Sequence, residues 1–119
     1  MREKDERETL YLIYYREKNR IEDERDSLKK SIRELEEAKL QYTDIFGDMR
    51  GFFKETAKHL DEECFLSELE TCEDEFYDSR SQIERELDDK EEYLKRELNR
   101  TYREEDELRE NLRRQKYSL

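Results

Sequence analysis

The side chains in this sequence that could do chemistry are numerous carboxylates, one histidine and two cysteines. A carboxylate acting as general acid or base needs a pKa shifted by a water-poor pocket. Glu6, Glu8, Glu17, Glu22, Glu24, Glu36 and Glu37 instead share one segment with Arg7, Arg16, Lys18, Arg20, Arg25, Lys29 and Lys30. Opposite charges three and four residues apart mark a solvated helix face, where each pair contributes about 0.2–0.5 kcal/mol. No catalytic residue is expected among them.

His59 is the single histidine, with Glu55, Glu62 and Glu63 three or four residues away. A di-metal site in a helical bundle uses Glu-x-x-His, and His59–Glu62 runs in the reverse order. No metal ligand and no cofactor is expected, and His59 reads as a solvent-exposed residue near a loop. Cys64 and Cys72 are eight residues apart. On a helix that places them about 12 Å apart along the axis, beyond the roughly 7 Å that an intrachain disulfide spans. They read as reduced, buried, small hydrophobes of a cytoplasmic protein, with pairing across a dimer seam as the alternative. There is no Gly-rich phosphate loop, nucleophile elbow or Cys-x-x-Cys.

Charge narrows the partners. With 36 acidic and 25 basic residues the formal net charge is −11, which disfavours nucleic acid and anionic membrane surfaces. The basic residues Arg109, Arg113, Arg114 and Lys116 suit the negative end of a helix dipole.

Only one kind of element is available to position anything. Hydrophobic residues make up 32% of the chain, against about 45–50% in an ordinary domain. There is no Val, Pro or Trp, and there are only two Gly. That leaves little for sheets or turns. No run approaches the roughly 20 apolar residues of a membrane span; the longest is Leu10–Tyr15. The opening Met1-Arg-Glu-Lys-Asp-Glu lacks the apolar stretch of a signal peptide. Leu, Ile and Phe together are near the compositional boundary of disorder. Against disorder stand the helix-forming Glu, Lys, Arg and Gln, the eight Tyr and five Phe, and regular spacing.

Tyr14, Ile21, Leu28, Leu35, Tyr42 and Met49 recur every seven residues. Ile32, Ala38, Ile45, Phe46, Phe52 and Phe53 sit three or four residues from that row. Leu69, Phe76 and Ile83 resume at seven, followed by Leu87, Leu94, Leu98, Leu108 and Leu112. The spacing predicts two long amphipathic helices, about 3–46 and 62–116, with a narrow coiled-coil-like seam. Gly47 and Gly51 lie in an aromatic stretch and read as helix stops, giving a connector over about 47–61 in which Asp61 caps the second helix. A second candidate break lies at Lys58–Glu63. The fold class is therefore all-α: one domain, 1–119, folded as an antiparallel helical hairpin, with an interrupted helix in an extended dimer as the alternative. Two thin seams bury little, so the hairpin is expected to join a larger bundle with a partner.

Aromatic and apolar clusters mark where a partner would bind. No single seam can bury all of Leu10–Tyr15, and Phe46, Phe52 and Phe53 cluster near the tip. The partner-binding residues are read as Leu10, Tyr11, Tyr14, Tyr15, Ile21, Leu28, Phe46, Phe52 and Phe53, because interfaces favour Tyr and Phe. Filling the ends of the hairpin's own core is the alternative for both clusters.

A short, acidic, all-helical chain with a Gly-containing aromatic stretch at Ile45–Phe53 resembles the small helical proteins of type VII secretion in Gram-positive bacteria. The WXG100-like members are helical hairpins of similar size. More specifically, it looks like the accessory proteins encoded beside LXG toxins. Trp-x-Gly is absent; the nearest equivalents are Phe46-Gly47 and Arg50-Gly51-Phe52-Phe53. Tyr93-Leu-Lys-Arg-Glu97 and Tyr102-Arg-Glu-Glu-Asp106 match the wider family's Tyr-x-x-x-Asp/Glu signal. The Phe-x-x-x-Asp motif of a related accessory family is missing. The resemblance implies a non-enzymatic targeting factor or chaperone that binds the helical N-terminal (LXG) domain of a secreted toxin. It also implies a possible second small helical accessory protein as partner, and a cytoplasmic location with co-export alongside the cargo. The rival expectation is a self-associating structural coiled coil or scaffold, homo-oligomeric when alone.

Overall fold

The computed structural model describes residues 2–118. Helix α1 spans Arg2–His59 and helix α2 spans Glu63–Ser118; there is no strand among the described residues. The all-α antiparallel hairpin expected from the spacing is the fold observed.

Its connector is far shorter than 47–61. Helix α1 runs through both glycines to His59, and neither has a positive φ. A glycine costs about 1 kcal/mol in a helix interior relative to alanine. Packing on either side outweighs that cost. Phe46 and Phe53 are buried, and both rings contact Phe76 of α2, at centroid distances of 5.7 and 5.4 Å. Ending the helix at Gly47 would strip Phe53 from that cluster. Among the described residues only 60–62 lie outside a helix. Leu60 N–H donates to the Ala57 carbonyl, and Leu66 N–H donates to the Glu62 carbonyl. Glu62, not Asp61, therefore stands at the N-cap of α2. Lys58 closes α1 and Glu63 opens α2, each sign matching the dipole it meets.

The helix pair divides into two units. Unit 1 joins α1 up to Ile32 with α2 from Tyr93. Its buried apolar side chains are Ile21, 2% exposed, and Leu94, with Thr101 fully buried beside them in sequence order. Unit 2 comprises residues 33–92, including the turn. Its buried side chains are Leu35, Phe46 and Phe53, with Phe76, Ile83 and Leu87 half-buried on α2. In each unit the pairing is antiparallel: Arg20 meets Glu104 and Arg25 meets Glu105 and Thr101, while Lys39 meets Asp88 and Phe46 meets Phe76.

The seven-residue row of α1 does not stay in the seam. Ile21 and Leu35 are buried, whereas Tyr42 and Met49 reach the surface. An α-helix falls about 20° behind a seven-residue repeat at each heptad, so the four heptads from Ile21 to Met49 accumulate roughly 80°. Phe46 and Phe53, four residues on from Tyr42 and Met49, take over the buried positions.

Candidate interaction surfaces

Several charged residues of unit 1 are joined in ion pairs. Arg25 donates from Nε to Thr101 Oγ1 at 3.3 Å and from Nη2 to the Thr101 carbonyl at 3.4 Å, and it pairs with Glu105. Thr101 Oγ1 in turn donates to the Leu98 carbonyl at 2.6 Å. Arg25 also lies over the Tyr102 ring, 4.1 Å from its centroid. The Arg25 and Glu105 side chains are only 12% and 14% exposed. Their hydrogen bond holds the Glu105 carboxyl below the usual carboxylate range and raises the guanidinium's affinity for its proton. Arg100 bridges Glu97, Glu24 and Glu104, and those bonds likewise raise its pKa. Glu104 Oε2 is buried without a hydrogen bond, 3.6 Å from Arg20 Nη2. In unit 2, Lys39 holds Asp88 at 2.6 Å and Glu91 at 2.8 Å, which raises its own pKa.

The other candidates for chemistry are dispersed. His59 is exposed at the end of α1, and Glu55 pairs with Lys58 at 3.2 Å. Among the described residues no group of three or more His, Cys, Asp or Glu is placed to hold a metal ion. Cys64 and Cys72 are free and exposed, a correction to their expected burial: the α2 seam passes through Leu69 and Phe76, and at 100° per residue Cys72 lies about 60° and Cys64 about 140° from Leu69. No helix among the described residues is long and apolar enough to cross a membrane.

What the surface does offer is apolar. In unit 1, Leu12, Ile13 and Tyr15 are exposed while Leu10, Tyr11 and Tyr14 are half-buried. Leu10, Ile13 and Tyr14 line a groove of about 160 Å³ with Leu108 and Leu112. In unit 2, Tyr42, Ile45, Met49 and Phe52 are all exposed. At 100° per residue they fall within an arc of about 80° on α1, spaced as one face of a coiled coil. This stripe is continuous with the core: Tyr42 stacks on Phe46 at 5.9 Å, and Phe52 meets Phe53 edge-on at 5.9 Å.

Of the residues expected to bind a partner, Tyr15 and Phe52 are exposed, and Leu10, Tyr11, Tyr14 and Leu28 are half-buried. Ile21, Phe46 and Phe53 are buried in the hairpin itself. Leu12, Ile13, Tyr42, Ile45 and Met49 were not in that set and are exposed. The spacing of Ile45 and Phe52 beside Tyr42 and Met49 is the signal that could have found the stripe, since it makes the apolar arc wider than one partner helix covers.

Charge is divided unevenly between the units. Unit 1 has 17 basic and 15 acidic residues and unit 2 has 8 and 21, for net charges of +2 and −13. Residues 61–79 alone carry nine acidic side chains and no Lys or Arg.

No protein-family model, curated protein or solved structure matches this chain.

Proposed function

We propose that this protein is a non-catalytic helical binding module that completes a bundle with a helical partner. The observation that carries the reading is the exposed apolar row Tyr42, Ile45, Met49 and Phe52 beside a core in which, among the described residues, five apolar side chains are buried. The type VII resemblance, in an acidic all-helical chain with the Gly-containing aromatic stretch Ile45–Phe53, supports a narrower form. In it the partner is the LXG domain of a secreted toxin, a second small accessory helix protein joins the assembly, and the chain meets its cargo in the cytoplasm as targeting factor or chaperone and is exported with it.

The test is co-expression of the tagged chain with its neighbouring genes in the native host, followed by purification and mass measurement of the intact complex. A stoichiometric complex with a helical N-terminal domain, lost in Ile45→Glu with helicity retained, is the expected result. Recovery of the chain alone as a defined oligomer would overturn it in favour of a self-associating coiled coil.

A further inference from the structure

The outer edge of the exposed stripe of unit 2 is flanked by carboxylates, while on its seam side Arg80 of α2 lies over the Phe46 ring and is paired with Glu84. On α1 the row beyond its outer edge is Gln41, Asp48 and Glu55, at seven-residue spacing, with Glu55 paired to Lys58. All five basic residues of α1 in unit 2, Arg33, Lys39, Arg50, Lys54 and Lys58, project on the opposite half of the helix by the same 100° arithmetic. Lys39 is in addition held by Asp88 and Glu91. A helix lying on Tyr42, Ile45, Met49 and Phe52 would therefore place its flanking residues against carboxylates, in the relation that flanking charges take in coiled coils.

We infer that this stripe docks an amphipathic helix with an apolar seam and Lys/Arg flanks. The inference deepens the binding-module reading and rests on it. A second copy of unit 2 is the wrong occupant, because it would bring another net −13 to the same face. Like charges set against each other disfavour a pairing, and opposite charges select it. The apolar residues supply the contact: Tyr, Met and Phe are among the residue types enriched at interface centres. Phe52 is already braced by Phe53, so little side-chain freedom is lost on binding.

The chain contains no Trp, so a tryptophan in a probe reports binding without background. The probes are three synthetic helices of four heptads with the same Leu/Ile seam and one Trp. Their flanks are all Lys, all Gln or all Glu. The full-length chain is titrated into each at low salt and at physiological salt. The expected result is that the Lys probe binds at least tenfold more tightly than the Gln probe and weakens with salt, and that the Glu probe does not bind. Ile45→Ser, at an exposed position, should weaken the Lys probe at least tenfold, while Leu40→Ser, exposed off the stripe, should leave it unchanged. Circular dichroism confirms that both variants remain helical.

Equal binding of the Gln and Lys probes, both lost in Ile45→Ser, would overturn the charge preference and leave the binding-module reading standing. Lys-probe binding indifferent to Ile45→Ser would overturn the site. No binding of any probe, together with concentration-dependent self-association abolished by Ile45→Ser, would overturn this inference and the reading beneath it.

Discussion

The guanidinium of Arg25 and the hydroxyl of Thr101 meet across the helix pair at 3.3 Å, with Thr101 fully buried. A fully buried threonine with its hydroxyl shared between Arg25 and the Leu98 carbonyl is a polar layer in an otherwise apolar seam. Such layers fix register, because sliding one helix by a turn leaves the buried groups unpaired. Arg25→Met should lower stability by about 1–3 kcal/mol, since Glu105 loses the partner of a mostly buried charge. Arg25→Met with Glu105→Leu should regain most of that loss, as an apolar pair often replaces a buried ion pair at little cost. Urea unfolding of the three proteins checks this. If the double variant is no more stable than the single one, register is held elsewhere.

The same pair gives a pH dependence with a definite sign. The bond from Arg25 lowers the Glu105 pKa in the folded chain. Its stabilisation is therefore present above the unfolded glutamate value of about 4.3 and lost as pH falls through the lower folded value. Glu105→Gln removes this contribution. The stability gap between the wild-type chain and Glu105→Gln should be constant from about pH 7 to 5 and close below about pH 4. A gap that widens on acidification would mean that Glu105 does not gain from Arg25.

The glycines supply a third test. A Cβ added at Gly47 or Gly51 meets no atom within 4 Å, and neither residue has positive φ. Nothing in the packing requires glycine, so Gly47→Ala and Gly51→Ala should each stabilise the chain by about 0.5–1 kcal/mol and raise its helicity. Thermal unfolding monitored at 222 nm measures both. Destabilisation by either alanine would place a break in α1 that the observed helix does not have.

These glycines also mark where the sequence could mislead. The helical class, the antiparallel pair and the positions of Ile21, Leu35 and Leu94 in the seam were legible from periodicity, because burial follows spacing directly. The end of α1 was not. Glycine reads as a stop in local terms, but Phe46, Phe53 and Phe76 form their contact only when α2 folds back, and that long-range packing overrides the local preference. The partner surface was half legible. Leu10–Tyr15 was visible as a block too wide for one seam. Ile45 and Met49 are visible in the sequence as apolar but not as exposed, because spacing alone does not show that the seven-residue row rotates out of the seam. Cys64 and Cys72 were assigned by residue type, and type alone does not say which side of a helix faces its neighbour.

Two adjacent phenylalanines separate folding from binding. Phe53 is 7% exposed and contacts Phe76, while Phe52 is 58% exposed and points to the stripe that carries Ile45. Phe53→Ala should cost about 3–4 kcal/mol, the transfer and cavity terms of a buried aromatic. Phe52→Ala should change stability by less than about 1 kcal/mol, because its ring loses only the edge contact with Phe53. Binding should show the reverse order. Phe52→Ala should weaken a Lys-flanked helix at least tenfold while unfolding near the wild-type urea midpoint. Phe53→Ala, assayed below its own midpoint, should retain the stripe and most of the binding. Similar losses of stability in both variants would mean that Phe52 belongs to the core, leaving Ile45 and Met49 too narrow a surface to seat a helix.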